Sequence, residues 1–273
     1  MSELPILILG GAGKTGARVN ALLRASGLPT RAVSRSTAIP FDWTRPETWP
    51  AAFAGVSMAY VTFQPDLAVE GSTEAIAEVS RLARENGLER VVLLSGRGEP
   101  GAQRAEAALQ RSGVPWSIVR ASWFDQNFSE GYLLDGVLAG ELALPAGDVA
   151  EPFIDVDDIA DVVVAALTDR RHVGKLYEVT GPRALTFAQA VAEIAGAASR
   201  PVRYRQIAAK DFAAGMRPHV PEEVIELLLE LFTVVLDGRN SGVMHGVEEA
   251  LGRPARDFSD YARRTAAAGI WRA

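Results

Sequence analysis

The first half of the chain alternates short apolar runs with longer amphipathic segments. The apolar runs are rich in Val, Ile or Leu without strict alternation, which is typical of strands covered on both faces. The segments between them carry apolar residues at helical spacing, as at Ile76, Val79 and Leu82. This order predicts an α/β, Rossmann-type, doubly wound parallel sheet with helices on both faces. The predicted strands are 5–10, 30–34, 59–63, 90–95 and 116–120.

Helices are predicted between and after these strands. In the first half they span residues 15–25, 46–54, 69–86 and 103–111. In the second half a helix at 157–167 and a strand at 176–180 precede helices at 187–198, 221–236 and 258–267. Thr186 and Gln189 form a capping-box pattern at the first of these later helices. We therefore expect a Rossmann domain at 1–181 and a smaller, mostly helical lobe at 182–273, packed as one unit.

Composition excludes several classes of function. A net charge of -6 without a local basic patch argues against nucleic-acid binding. The absence of cysteine excludes disulfides, a thiolate nucleophile and Cys-ligated zinc, and fits a cytoplasmic location. The most apolar helical segment, residues 224–236, is too short to span a bilayer and is interrupted by Glu226 and Glu230. We expect a globular protein with a small-molecule substrate.

A glycine-rich turn follows the first predicted strand and precedes the first predicted helix. Within it, Gly10, Gly13 and Gly16 have the spacing of a dinucleotide-binding turn. Glycines let backbone N–H groups approach a pyrophosphate, and the N-terminus of the following helix favours the anion. Lys14 and Thr15 also resemble the end of a triphosphate-binding loop, but that motif needs a glycine where Ile8 stands. The turn predicts a bound dinucleotide; the alternative is a structural turn in an unrelated α/β protein.

The end of the second predicted strand distinguishes NADP from NAD. An acidic side chain there would bind the ribose 2′-hydroxyl of NAD, and none is present. The strand is followed instead by Ser34, Arg35 and Ser36, whose guanidinium and hydroxyls suit a 2′-phosphate. Lys14 could add a second positive charge. The sequence favours NADP(H) as the cofactor, with a solvated surface role for Arg35 as the alternative.

Two later segments, 116–127 and 153–160, add to the glycine turn and Arg35 a resemblance to a known family. The chain resembles the NmrA-like atypical short-chain dehydrogenases, and within them the reductases of ergot-alkaloid biosynthesis and their bacterial relatives. The resemblance implies NADP(H) on a parallel sheet, a small C-terminal lobe over the cofactor, and residues 120–127 at the nicotinamide end. Members of the family reduce quinones, iminium ions or activated alkenes, or bind the dinucleotide as regulators without turnover.

The predicted site residues fall into three groups. The cofactor group is Gly10, Gly13, Lys14, Thr15, Gly16, Ser34, Arg35, Ser36, Asp42, Trp43, Thr62, Phe63, Ser95, Ala121 and Trp123, with Asp42 and Trp43 read as following a third strand, where adenine contacts are usual. The substrate group is Phe63, Trp123, Phe124, Asn127, Phe128, Tyr132 and Phe153. The catalytic candidates are Asn127, Tyr132 and Asp125. For each aromatic member the alternative is a position in the hydrophobic core.

Tyrosine-dependent short-chain dehydrogenases place a lysine four residues after the tyrosine, where the ammonium lowers the phenol pKa. None of the five tyrosines has a lysine at that spacing. We therefore expect an NADPH-dependent reductase of an electron-poor, planar substrate such as a quinone, an iminium or imine, or an activated alkene. The alternative is a non-enzymatic NADP(H) sensor of the NmrA type, for which the predicted helix 221–236 could serve a partner or a homodimer. No metal is predicted, because the histidines lack ligand spacing.

Overall fold

A computed structural model describes residues 4–272; residues 1–3 and 273 lie outside the described part of the chain. The strands are β1 (Ile6–Leu9), β2 (Thr30–Val33), β3 (Met58–Val61), β4 (Arg90–Gly96), β5 (Trp116–Ala121), β6 (Glu141–Leu144), β7 (Ala150–Glu151), β8 (Lys175–Val179), β9 (Leu185–Thr186) and β10 (Arg203–Gln206). The helices are α1 (Lys14–Ala25), α2 (Trp49–Phe53), α3 (Ser72–Glu85), α4 (Pro100–Arg111), α5 (Asn127–Glu130), α6 (Leu134–Ala139), α7 (Val156–Thr168), α8 (Phe187–Ala198), α9 (Ala209–Met216), α10 (Glu222–Glu230), α11 (Gly246–Leu251) and α12 (Phe258–Ala267). Single 3-10 turns lie at Pro46–Thr48 and Arg170–His172, and a π turn lies at Leu231–Val235.

The central sheet has the order β2-β1-β3-β4-β5-β8, and all of its strands are parallel. From β1 the chain goes first to β2 on one side and then to β3 on the other. This reversal places a crevice at the carboxyl ends of β1 and β3, which is where open α/β sheets bind ligands. The predicted Rossmann-type parallel sheet is confirmed, and the glycine turn lies at its switch point.

Contacts within the chain divide it into two compact units. The first holds the described residues up to Ala121, with Val156–Val179 and Gly246–Arg253. The second holds Ser122–Asp155, Thr180–His245 and the described residues from Pro254 onward. The sequence-based division at residue 181 lies close to one of the points where the chain changes unit. As a statement about domains, it stays a prediction.

In the first unit, α1 packs on α7 and α3 packs on α4, so helices flank the sheet as two pairs. Helix α3 begins three residues later than its apolar pattern predicts, because Gly71 stands before it with a left-handed φ of 80°. The predicted helix at 46–54 is a 3-10 turn followed by α2. Pro50 has no N–H to donate to the preceding turn, so a continuous α-helix cannot form there.

The second unit contains short strand pairs that the sequence did not predict. Strand β6 pairs in parallel with β10, and β7 pairs antiparallel with β9. The capping box at α8 is present. The Gln189 backbone N–H donates to Thr186 Oγ1 at 3.1 Å, and the Thr186 backbone N–H donates to Gln189 Oε1 at 2.9 Å. The predicted helix at 221–236 changes from α10 into the π turn. Within residues 4–272, no helix is long and apolar enough to cross a membrane.

Candidate functional site

The turn between β1 and α1 is built by its glycines. Gly10 has a φ of 72°, and its carbonyl oxygen accepts the Gly13 N–H at 2.8 Å. A Cβ on Gly16 would overlap that same carbonyl oxygen and would lie 3.2 Å from the Gly11 Cα. The turn is therefore packed too closely for side chains at Gly10 and Gly16. The absence of these side chains leaves the N-terminus of α1 accessible to a ligand. This is the cradle that a pyrophosphate requires.

The charge around this turn favours an anion. Helix α1 has no acidic residue in its first turn, so its partial positive charge is not neutralised there. Lys14 is the first residue of the helix and is half-buried, and Thr15 behind it is buried. Thr62 directly follows β3, and its hydroxyl donates to the Leu9 carbonyl at 3.1 Å. This bond ties the start of the glycine turn to the end of β3.

The loop after β2 presents an exposed arginine. Arg35 is exposed, and no carboxylate of residues 4–272 lies within ion-pair distance of it. The flanking hydroxyls of Ser34 and Ser36 lie 3.3 Å apart, and the Thr37 hydroxyl donates to the Ser34 carbonyl at 2.9 Å. These bonds hold the loop in a compact turn, which leaves the Arg35 guanidinium available to an external anion. A 2′-phosphate is such an anion.

Asp42 and Trp43 lie in the loop that follows β2, so the expectation that they follow a third strand is wrong; β3 begins at Met58. Pro40, two residues before Asp42, has no N–H to donate to a neighbouring strand. The Trp43 indole N–H donates to the Thr62 carbonyl at 3.1 Å, and its ring lies 4.6 Å from that of Phe63. Hydrogen bonds from the Thr44 backbone and hydroxyl lower the pKa of Asp42. The structure therefore places Trp43 against Phe63, at the carboxyl end of β3.

Ser95 and Ala121 lie at the carboxyl ends of β4 and β5. Ser95 is 4% exposed, and its hydroxyl donates to Glu106 Oε1 of α4 at 2.5 Å. Glu106 was not among the predicted site residues, because nothing in the sequence connects a helical glutamate to the end of a strand eleven residues earlier. The tertiary contact makes it a neighbour of the candidate site.

The aromatic residues predicted for the substrate lie in the second unit, apart from Phe63. Phe124 forms an isolated bridge with Ile154, and the Ile154 N–H donates to the Trp123 carbonyl at 2.8 Å. Trp123 is half-buried, with its ring 5.1 Å from Phe232 and 5.4 Å from Phe187. The bridge thus holds Trp123 and Phe124 in a fixed backbone conformation.

Phe128 and Phe153 occupy the hydrophobic core of the second unit, the alternative that the sequence left open. Their ring centroids lie 5.7 Å apart, and both contact Phe187 and Phe258. Phe128 is fully buried, and its carbonyl accepts the Trp271 indole N–H at 2.9 Å. Tyr132, in contrast, is 39% exposed. The assignment of Phe128, Phe153 and Tyr132 to a substrate site stays a prediction.

The polar candidates near this aromatic cluster differ in accessibility. Asp125 is fully buried, and its backbone N–H donates to the Ile154 carbonyl at 2.9 Å. Asn127 begins α5 and is half-buried. The neighbouring Gln126 amide donates to Asp155 Oδ1 at 2.8 Å, and Arg264 of α12 also binds Asp155. Of the three catalytic candidates, Asn127 and Tyr132 retain access to solvent.

Between residues 4 and 272, no group of three or more His, Asp or Glu side chains is arranged as metal ligands. His172 is buried, with Nδ1 2.7 Å from the Tyr177 hydroxyl, and desolvation lowers the pKa of its ring. The site that the structure does support consists of the glycine turn, the Arg35 loop and the ends of β3, β4 and β5.

The sequence and the fold both match known proteins. Residues 103–262, more than half of the chain, match the model of the NmrA-like family. The chain is 32% identical to an NAD(P)H azoreductase of Xenophilus azovorans, over 96% of this chain and 98% of that protein. It is 27% identical to the festuclavine dehydrogenase of Aspergillus fumigatus, over 96% and 97%. An NADPH-dependent quinone oxidoreductase of Escherichia coli, solved with NADPH, has the same fold, with a TM-score of 0.79 at 20% identity over 95% of this chain and 99% of that chain.

Proposed function

The chain belongs to the NmrA-like family, as its sequence resemblance predicted, and from this premise we propose that it is an NADPH-dependent reductase. Its substrate is electron-poor and planar: a quinone, an iminium or imine, or an activated alkene. The observation that carries the proposal is the glycine turn at the switch point of the sheet, with an exposed Arg35 on the adjoining loop that has no ion pair within residues 4–272. An arginine in this place favours the phosphorylated dinucleotide over NAD.

The residues of the first unit fit the cofactor in a consistent order along the strand ends. The N–H groups after Gly10 and the N-terminus of α1 hold the pyrophosphate. Ser34, Arg35 and Ser36 bind the 2′-phosphate through charge-assisted hydrogen bonds. Phe63 and Ser95, on the other side of the turn, would hold the nicotinamide end. When bound, the dihydronicotinamide supplies the hydride.

The proposed choice of substrate follows from the acid chemistry of the chain. Reduction of an ordinary ketone develops an alkoxide, which needs a proton donor or strong oxyanion stabilisation. The chain has no Tyr-Lys pair at the spacing that supplies one in the tyrosine-dependent enzymes. A quinone or an iminium accepts hydride without prior protonation, and water protonates the hydroquinone anion afterwards. Binding and orienting the two reactants then provide most of the rate enhancement.

The NAD(P)H azoreductase relative adds a further acceptor to be tested. A hydroxyazo dye is planar, and its hydrazone tautomer is quinone-like, so hydride addition to that tautomer fits the same argument as a quinone. A panel of an azo dye, a naphthoquinone, a cyclic iminium and a simple ketone separates the proposed acceptors from the excluded one. NADPH consumption with at least one of the first three, and none with the ketone, is the expected result.

Binding and turnover together test the proposal. Calorimetry on the purified protein should show tighter binding of NADPH than of NADH. A protein that binds neither dinucleotide contradicts the cofactor assignment. A protein that binds NADPH but consumes it with no member of the panel contradicts the reductase assignment, and then an unequal affinity for NADP and NADPH would favour the sensor alternative.

Asn127 is proposed to orient the substrate carbonyl through its side-chain amide. Replacing it by Leu, which has a similar shape and no amide, removes one neutral hydrogen bond. We expect Asn127→Leu to lower kcat/KM for a quinone by roughly 2- to 10-fold, which corresponds to the net free energy of one neutral hydrogen bond. Steady-state kinetics with quinone as the varied substrate measure the change.

An iminium substrate is the control for Asn127→Leu, because it has no carbonyl to orient. Its kcat/KM, and the affinity of the variant for NADPH, should remain at the wild-type value. Parallel losses with both substrates would mean that the substitution disturbs α5 and that the amide has no orienting role.

A further inference from the structure

A partly buried chain of alternating charges crosses the carboxyl end of the sheet in the first unit. Ser95, Arg120 and Glu178 are neighbours in register on β4, β5 and β8. Glu106 of α4 accepts from Ser95 Oγ at 2.5 Å and from Arg120 Nε at 2.9 Å. Arg120 also donates to Glu178 Oε1 at 2.6 Å, and Arg97 lies 3.6 Å from the second oxygen of Glu178. The series of contacts thus runs from Arg97 through Glu178, Arg120 and Glu106 and ends at the Ser95 hydroxyl.

The charge state of Glu106 fixes the direction of the Ser95 hydrogen bond. Glu106 is 3% exposed, and both of its oxygens accept hydrogen bonds from the Arg120 guanidinium. These bonds to Glu106 raise the pKa of Arg120, and two parallel bonds from a guanidinium are the geometry of an ionised carboxylate. An ionised carboxylate can only accept hydrogen bonds, so Ser95 must donate its single proton to it. The remaining lone pairs of the Ser95 oxygen are left as acceptors.

The same charge state excludes a role for Glu106 as a proton source. Its oxygens carry no proton. They accept three hydrogen bonds, one from Ser95 Oγ and two from the Arg120 guanidinium. Ser95 cannot release its own proton to a substrate without leaving an alkoxide beside a carboxylate, which is unfavourable in a buried site. The network can orient a ligand group, but it cannot act as a substitute for the Tyr-Lys relay.

Ser95 lies where the nicotinamide end of the proposed cofactor belongs. Strand β4 is two strands from β1, so Ser95 is about 10 Å across the sheet from the glycine turn. Arg35 follows β2, on the opposite side of β1. A dinucleotide whose 2′-phosphate is bound at Arg35 and whose pyrophosphate is at the turn therefore extends toward β4. Beyond the pyrophosphate, its hydrogen-bonding groups are the ribose hydroxyls and the carboxamide; the carboxamide is the farther of these from the turn, and it carries an N–H2 donor.

We propose that Glu106 and Arg120 are positioning residues that hold the Ser95 hydroxyl as a hydrogen-bond acceptor for the nicotinamide carboxamide. The inference rests on the proposed function, because it assigns a role at the far end of the same cofactor. It predicts that Ser95, and the Glu106–Arg120 pair that orients it, affect affinity for the nicotinamide half of NADPH and leave affinity for the adenine half unchanged.

The test compares NADPH with 2′,5′-ADP, which has the adenine, the ribose and the 2′-phosphate but no nicotinamide. In Glu106→Gln, one amide oxygen must serve both Arg120 and Ser95, so the direction of the Ser95 hydroxyl is no longer fixed. We expect the Kd for NADPH to rise roughly 2- to 10-fold, as for loss of one hydrogen bond, and the Kd for 2′,5′-ADP to stay unchanged. Calorimetry measures both.

Three further variants separate positioning from general stability. Ser95→Ala should give a similar rise in the Kd for NADPH, and the double variant Ser95→Ala with Glu106→Gln should give no additional rise, because Glu106 acts through Ser95. Glu178→Gln removes a charge from the same network without touching Ser95, so it is the matched control. It should lower the thermal midpoint but leave the ratio of the two Kd values at the wild-type level.

Each contrary outcome has a distinct meaning. A wild-type ratio of Kd values in Glu106→Gln or Ser95→Ala would overturn the inference, and so would an equal shift of that ratio in Glu178→Gln. Wild-type protein that binds 2′,5′-ADP and NADPH with equal affinity would overturn it as well, since no nicotinamide contact would then exist. Wild-type protein that binds neither ligand would instead refute the proposed function on which the inference rests.

Discussion

Gly16→Ala should abolish detectable NADPH binding and lower the thermal midpoint of the protein. The new Cβ would overlap the Gly10 carbonyl oxygen, which is backbone and cannot rotate away. Helix α1 must then move away from β1, at a cost of roughly 1–3 kcal/mol for overpacking. The same movement displaces several N–H groups that hold the pyrophosphate, and each hydrogen bond lost to a charged group costs about 1.5–3 kcal/mol.

Gly196→Ala is the matched control for this prediction. Gly196 lies inside α8, and a Cβ there would meet no atom within 4 Å. Alanine has the higher helix propensity by about 1 kcal/mol, so this variant should be as stable as the wild type or more stable, with unchanged NADPH binding. Calorimetry and thermal melts on the two variants make the comparison. Wild-type affinity in Gly16→Ala would refute the placement of the pyrophosphate at this turn.

Arg35→Ala should lower the affinity for NADPH by roughly 10- to 100-fold and leave the affinity for NADH unchanged. Hydrogen bonds to a charged group are worth about 1.5–3 kcal/mol, and the guanidinium makes them only to the 2′-phosphate that NADH lacks. Because Arg35 has no ion pair within the described residues, its removal leaves no carboxylate without a partner. The variant should therefore fold normally, and the change should be confined to the phosphorylated cofactor.

Arg45→Ala tests whether the loss is specific to Arg35. Arg45 is another exposed arginine of the same loop, but its guanidinium is 2.9 Å from Glu47. Its replacement removes the same formal charge, so it should change NADPH binding only through long-range electrostatics, which salt screens. Equal losses in the two variants, or a parallel loss of NADH binding in Arg35→Ala, would mean that Arg35 does not bind the 2′-phosphate.

The central sheet was predictable because its signals are local. Buried parallel strands are continuous apolar runs, and the helices between them show their own periodicity, so their positions were read correctly from the sequence. Helix ends were less accurate where a single residue decides, as Gly71 does for α3 and Pro50 does for the turn before α2. The pairs of β6 with β10 and of β7 with β9 were missed, because strands of two to four residues carry too little pattern to be distinguished from loops.

By itself, the sequence determined the parallel sheet, the glycine turn and the arginine after the second strand, since each depends on residues adjacent in the chain. Tertiary structure alone decided that Ser95, Glu106, Arg120 and Glu178 form one network, because strand pairing joins residues that are far apart in sequence. It also decided that Phe128 and Phe153 are core residues of their unit while Trp123 is half-buried. In the sequence, an aromatic residue of a core cannot be told from one that lines a pocket. Only its packing neighbours in the fold distinguish the two.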